Sequence, residues 1–179
     1  MKYIFSIFLF STVLFVNAQA KLKTKAGNIT FEASVPAFEQ VKAKNEAVTC
    51  VLRARNGEIA CLALIKGFRF KLALMEEHFN ENYAESDKFS KAIFRGKLEN
   101  FSVEDVTETA KVYNLVGKLQ LHGKTNDVKT EATVKKTTAG IEILTNFTLL
   151  ASDYDIKIPS LVKNKVTNKV NLKCDFVVK

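Results

Sequence analysis

Several stretches of this chain alternate apolar and polar residues strictly by twos, a pattern that fits long strands with one oily face and no other regular structure. In 111–122, Leu115, Gly117, Leu119 and Leu121 oppose Lys118, Gln120 and His122. In 128–135, Val128, Thr130, Ala132 and Val134 oppose Lys129, Glu131, Thr133 and Lys135. Ile141, Ile143, Thr145, Phe147 and Leu149 share the next face. The last stretch sets Val166, Val170, Leu172, Cys174, Phe176 and Val178 against Thr167, Lys169, Asn171, Lys173 and Asp175. Further runs at 27–33 (Ile29, Phe31, Ala33), 46–54, 58–70 and 92–101 bring the total to about eight strands. Pro36 cannot donate to a ladder, so 34–45 reads as a loop, a helical turn or an edge. Long strands joined by short turns predict an all-β, up-and-down antiparallel sheet, and such a sheet loses its exposed edges by closing into a barrel. A sandwich wants more turn punctuation than seven Gly and two Pro supply.

The exception to period two is the middle of 68–94. Leu72, Met75 and Phe79 fall at i, i+3 and i+7, one face of a short helix, with Glu76, Glu77, Asn80 and Glu81 on the other sides. One short helix after the third strand region therefore lies on or across the barrel. Phe68 and Phe70 have the opposite parity from Ile65, and a bulge at Gly67 would return both rings to the inner side. A barrel of this size is either filled by side chains or holds one slender ligand. Small inward residues (Ala33, Ala63, Gly96, Gly117, Thr130, Ala132, Thr145) beside inward Phe rings favour a tapered cavity over a solid core.

Residues 1–20 read as a secretory signal peptide: Lys2, an apolar run, then small residues for cleavage after Ala18 or Ala20. The run is shorter than the roughly 18–20 residues of a membrane span. The remaining 21–179 forms one domain. The net charge is +8, or +7 without Lys2, and only four basic residues are Arg. With no Trp and no Arg–aromatic cluster, nucleic acid is not an expected partner; the spread lysines form a solvated face with at most weak attraction to an anionic membrane surface. Cys50 and Cys61 flank the turn at Asn56–Gly57. A four-residue loop sets them directly opposite, a two-residue loop one step off, and a three-residue loop on opposite faces, so bonding between them depends on register. Cys174 reads as a small buried apolar side chain.

The runs LMEEHFNENYAESDKF (74–89) and KAIFRGK (91–97) resemble the YceI-like family, the lipid/polyisoprenoid-binding domain of bacterial periplasmic proteins, in the compact form found in Bacteroidetes-type bacteria. GNITFEA, NGEIACLALIKGFRF, VGKLQLHGKT and DIKIPSLV are similar to the family's opening strand, its strand ending in Ser-Phe-x-Phe, its Gly-x-Leu-x-x-His-Gly-x-Thr and its Ile-x-Ile-Pro turn. Ser90 stands where a Pro is usual, Arg53 where an Asp is usual, and 103–110 lacks the usual Gly; these departures touch turns. The resemblance implies a lipocalin-like barrel, periplasmic or secreted, whose apolar pore takes a polyisoprenoid, an isoprenoid quinone or a fatty-acid-like lipid. The lining expected in the first half of the chain is Phe31, Ile65, Phe68, Phe70, Met75 and Phe79. Phe94, Gly117, Leu119 and Leu121 continue it, and Phe147, Leu149, Leu172 and Phe176 complete it. A homodimer is left open.

Catalytic patterns are not found. His78 and His122, the only histidines, are not spaced as metal ligands, and Glu76, Glu77 and His78 diverge on a helix. Glu77 and Glu81 share a helix face but read as a solvated pair. The chain has no nucleophile-elbow motif and no phosphate-cradling Gly loop. The expectation is a binding protein, not an enzyme, with no cofactor and no metal; an enzyme using the same pocket, or a filled barrel serving as an interaction module, are the alternatives.

Overall fold

The computed structural model describes residues 21–35, 40–160 and 164–179. The signal peptide read at 1–20 lies outside them, as do Pro36 and the end of the DIKIPSLV turn.

The alternating stretches are strands, in the expected order. They are β1 (Lys21–Ser34), β2 (Lys42–Arg53), β3 (Glu58–Leu64), the two-residue β4 (Arg69–Phe70), β5 (Lys91–Leu98), β6 (Lys111–Leu121), β7 (Lys124–Thr137), β8 (Gly140–Leu150) and β9 (Val166–Val178). Each is antiparallel to its neighbours in the order β1-β9-β8-β7-β6-β5-β3-β2, and β1 pairs with β2 as well, so the sheet closes on itself. β4 continues the line of β3, placing Phe70 opposite Ala43 and Arg69 opposite Lys44 on β2. The result is an eight-stranded antiparallel barrel with one short helix, α1 (Ala73–His78).

Three local details differ from the sequence reading. β1 begins at Lys21 instead of 27, and β2 resumes at Lys42 instead of 46. Each extension pairs with a part of the other strand already expected, Lys21 with Arg53 and Lys42 with Glu32, across a bulged register, and the two pairings close the barrel. The step after Ile65 is made by a 3-10 turn, Ile65–Gly67, instead of a bulge. The Phe68 amide donates to the Ile65 carbonyl (3.1 Å), and Ile65, Phe68 and Phe70 all end up inside. The β6–β7 turn is His122–Gly123, with φ of 50° and 77°, as a two-residue hairpin turn of this hand requires.

The two halves of the barrel are packed differently. At the end carrying the β2–β3 turn, Leu52, Leu98, Tyr113, Val134, Ile143 and Val178 meet in a buried core. Phe101, in the link after β5, turns inward to plug it; the sequence reading had made it a strand end. The same end is tied by the Lys23 amide donating to the Lys179 carbonyl (2.9 Å).

Gly96 and Gly117 face each other across β5 and β6. A Cβ at Gly117 would sit 2.5 Å from the Arg95 carbonyl oxygen and 2.7 Å from the Phe94 ring; one at Gly96 would sit 2.5 Å from the Val116 carbonyl oxygen. The Phe94 ring therefore rests on bare backbone. Because backbone cannot yield as a side-chain tip does, Gly117→Ala is expected to cost about 1–3 kcal/mol of stability, read as a lower midpoint in urea.

Candidate functional site

The half of the barrel away from the plug is hollow. It encloses a cavity of about 420 Å³ whose lining is almost wholly apolar. That volume lies within the roughly 300–1,000 Å³ typical of small-molecule sites. Every strand except β2 contributes, because closure turns each oily face inward: Phe31 from β1, Ala63 from β3, Phe70 from β4, Phe94 from β5, Leu119 from β6, Thr130 from β7, Phe147 from β8 and Leu172 from β9. On β9 the lining runs from Val166 to Phe176, on the order of 30 Å of strand at about 3.3 Å per residue.

Of the expected lining residues, all but Gly117 face the cavity. Gly117 has the inward parity, but the Phe94 ring covers it. Ile29, Val41, Ala92, Val128, Val166 and Val170 were not among those expected. Most of them share the inward parity and could have been read from it. Ile156 and Ile158, in the segment after β8, also line it and carry no strand signal.

Four rings gather under the helix. Phe31 lies 5.3 Å from Phe68, 5.7 Å from Phe70 and 5.3 Å from Phe79 between centroids, and Phe70 lies 5.1 Å from Phe79. The Leu72, Met75 and Phe79 stripe thus covers the cavity, as its spacing predicted. Glu76 holds α1 in place: one carboxylate oxygen accepts from Arg69 (2.6 Å) and the other from the Phe70 amide (3.1 Å). Past α1 the chain widens into a π turn, Phe79–Tyr83, which the Ala84 amide closes onto the Phe79 carbonyl (2.8 Å).

The mouth mixes apolar and polar groups. Leu72 and Leu74 are exposed on its rim, Leu74 to 62%. His78, Lys165 and Thr167 also line the cavity. His122 is elsewhere, buried beneath the cap with its ring tilted 55° against the Phe89 ring, 4.3 Å between centroids. Its Nδ1 is 2.9 Å from the Tyr154 carbonyl oxygen and its Nε2 is 2.8 Å from a Glu85 carboxylate oxygen. Both neighbours are acceptors, so the neutral ring can donate to one of them and the imidazolium to both. Either way, His122 joins the helix-bearing cap to the turn after β8. Glu77 and Glu81 are exposed. Among the described residues, no cluster of His, Cys, Asp and Glu could hold a metal ion, and no helix is long and apolar enough to cross a membrane.

Three thiols lie inside the barrel, with Cys61 and Cys174 on the cavity wall and Cys50 in the packed core. Burial pushes the Cys174 thiol up to about 12. The Cys61 thiol is also raised well above its ordinary value, first by its hydrogen bond with Cys50 and then by burial. Neither is a nucleophile at neutral pH.

Three solved structures share this architecture. A polyisoprenoid binding domain from Saccharophagus degradans, implicated in plant cell wall breakdown, superposes with a TM-score of 0.77 at 15% identity, over 89% of this chain and 97% of that one. BcnA from Burkholderia cenocepacia gives 0.71 at 13% identity, over 86% and 96%. A YCEI protein from Campylobacter jejuni gives 0.65 at 14%, over 81% and 88%. At such identities the likeness is one of fold. No curated protein matches the sequence. The family model for the YceI-like domain matches residues 10–178, nearly the whole chain, and with the hollow eight-stranded barrel already in view it places this protein in the YceI-like family.

Proposed function

We propose that this protein is a non-enzymatic carrier, exported to the periplasm or beyond, that holds a long-chain amphiphile with its tail in the barrel. The ligand class is a polyisoprenoid, an isoprenoid quinone or a fatty-acid-like lipid. The observation that carries this reading is the cavity itself: long and apolar on almost every side, with His78 and Lys165 as its only lining histidine and lysine among the described residues. Each methylene buried there contributes roughly 0.8 kcal/mol. About ten of them outweigh any single polar contact, so selection is by tail length and shape more than by headgroup. The similar polyisoprenoid binding domain from Saccharophagus degradans supports the choice of ligand class. Leu72 and Leu74, exposed beside Lys71 on the rim, suit weak contact with an anionic membrane surface.

Purified protein extracted with organic solvent and analysed by mass spectrometry tests the reading. One long-chain species at near one-to-one ratio is the expected result. A protein that comes out empty and takes up no lipid offered in vesicles, with or without anionic headgroups, would overturn it. Turnover of a small hydrophobic substrate, lost in His78→Ala or Glu77→Gln, would replace it with an enzyme.

A further inference from the structure

The loop between β2 and β3 has four residues, 54–57, closed by the Gly57 amide donating to the Arg53 carbonyl (3.0 Å). This is the one loop length of the three considered that sets Cys50 directly opposite Cys61, and the register is Leu52 with Ile59 and Cys50 with Cys61. Residues directly opposite on antiparallel strands have Cα atoms about 4.5 or 5.5 Å apart, inside the roughly 4.4–6.8 Å window of disulfides. Both side chains point inward and are buried, and their sulfurs are 3.0 Å apart. In the structure all three cysteines are free thiols.

We propose that Cys50 and Cys61 become joined by a disulfide when the chain folds under oxidising conditions, leaving Cys174 as the single thiol. The reaction is thiol–disulfide exchange with a small or protein disulfide. The thiolate of one cysteine attacks that disulfide, the mixed disulfide is resolved by the other, and the oxidant leaves as two thiols carrying the electron pair and both protons. The timing follows from the site. Inside the finished barrel both sulfurs are shielded, and the Cys61 thiol is held protonated. Bonding therefore belongs to the hairpin stage, when the two cysteines are close along the chain and open to solvent. Cys174 comes from β9, the last strand, and has no cysteine opposite it; its partners are Ile29 and Thr145. The bond is then a staple inside the barrel and not a reversible switch, because Cys50 is fully buried and Cys61 nearly so, which slows attack by a reductant far below its rate in the unfolded chain.

Trypsin separates the cysteines cleanly, into peptides 45–53, 56–66 and 174–179. Residues 21–179, reduced and denatured, are refolded with a mixture of reduced and oxidised glutathione, alkylated, and digested without reductant. The expected product is peptide 45–53 joined to 56–66, two hydrogens lighter than the separate pair, with 174–179 alkylated. Cys50→Ser should abolish the joined species, and the oxidised wild-type fold should resist dithiothreitol until denaturant is added. Three alkylated cysteines in protein that has regained its far-UV strand signal would overturn the proposal. So would a joined peptide that contains 174–179.

Discussion

Ala63→Phe is expected to weaken binding of a long-chain lipid by on the order of a thousand-fold while leaving the barrel at least as stable. Ala63 is buried on the cavity wall, and its cross-strand partner Ala92 lines the cavity too, so neither side chain occupies the space before them. A ring added there displaces about five methylenes of bound tail, roughly 4 kcal/mol at 0.8 kcal/mol each, which is about three decades in Kd. The ring enters a void instead of packed atoms, so the thermal midpoint should hold or rise slightly. Titration with a series of fatty acids reads both effects: short tails that stop before the ring should lose little, long ones most. Unchanged affinity for the longest tails would mean that the tail does not lie along β3.

Leu98→Ala should do the reverse. Leu98 is fully buried at the plugged end, its amide donates to the Gly57 carbonyl (2.9 Å), and it does not line the cavity. Truncating it removes apolar contacts and leaves a hole that the surrounding strands cannot close. The expected loss is about 2–5 kcal/mol of stability. At about 2–4 °C per kcal/mol for a domain of this size, the midpoint falls by roughly 10 °C. Lipid affinity in the folded protein should stay within a few-fold of the wild type. A variant in which affinity collapsed along with stability would show that the two halves of the barrel are not independent.

These two substitutions separate what period-two alternation cannot. The same pattern of inward Val, Leu and Phe runs the whole length of β6, β8 and β9, yet one end of each is packed solid and the other faces empty space. Alternation specifies which side a residue takes, so strand count, closure and most of the lining that comes from strands were legible, but not the part from Val41, Tyr83, Ala151, Ile156 and Ile158 outside them. What fills the lower half comes partly from Phe101, Val103 and Val106, in a link with no periodicity at all. The first turns of β1 were missed because Lys21, Lys23 and Lys25 face solvent and only Leu22 packs on the core. The inward return of Phe68 and Phe70 was legible from parity, but not the device, since a bulge and a 3-10 turn shift parity alike. His122 falls on the outward side of the alternation and reads as a strand-end residue packing near a turn, and it is buried at the β6–β7 turn; that its left-handed backbone carries it to Glu85 and Tyr154 no spacing rule foresees.

The plug at Leu98, Phe101 and Tyr113 also governs how a bound molecule would be exchanged. A container sealed at its foot behaves as a flask and not as a pipe. Whatever occupies it must back out through the doorway by which it came, and a newcomer cannot drive it forward. Replacement should then follow the departure rate of the resident lipid and be indifferent to how much competitor is supplied, so delivery would be timed at the acceptor by whatever pulls the chain free.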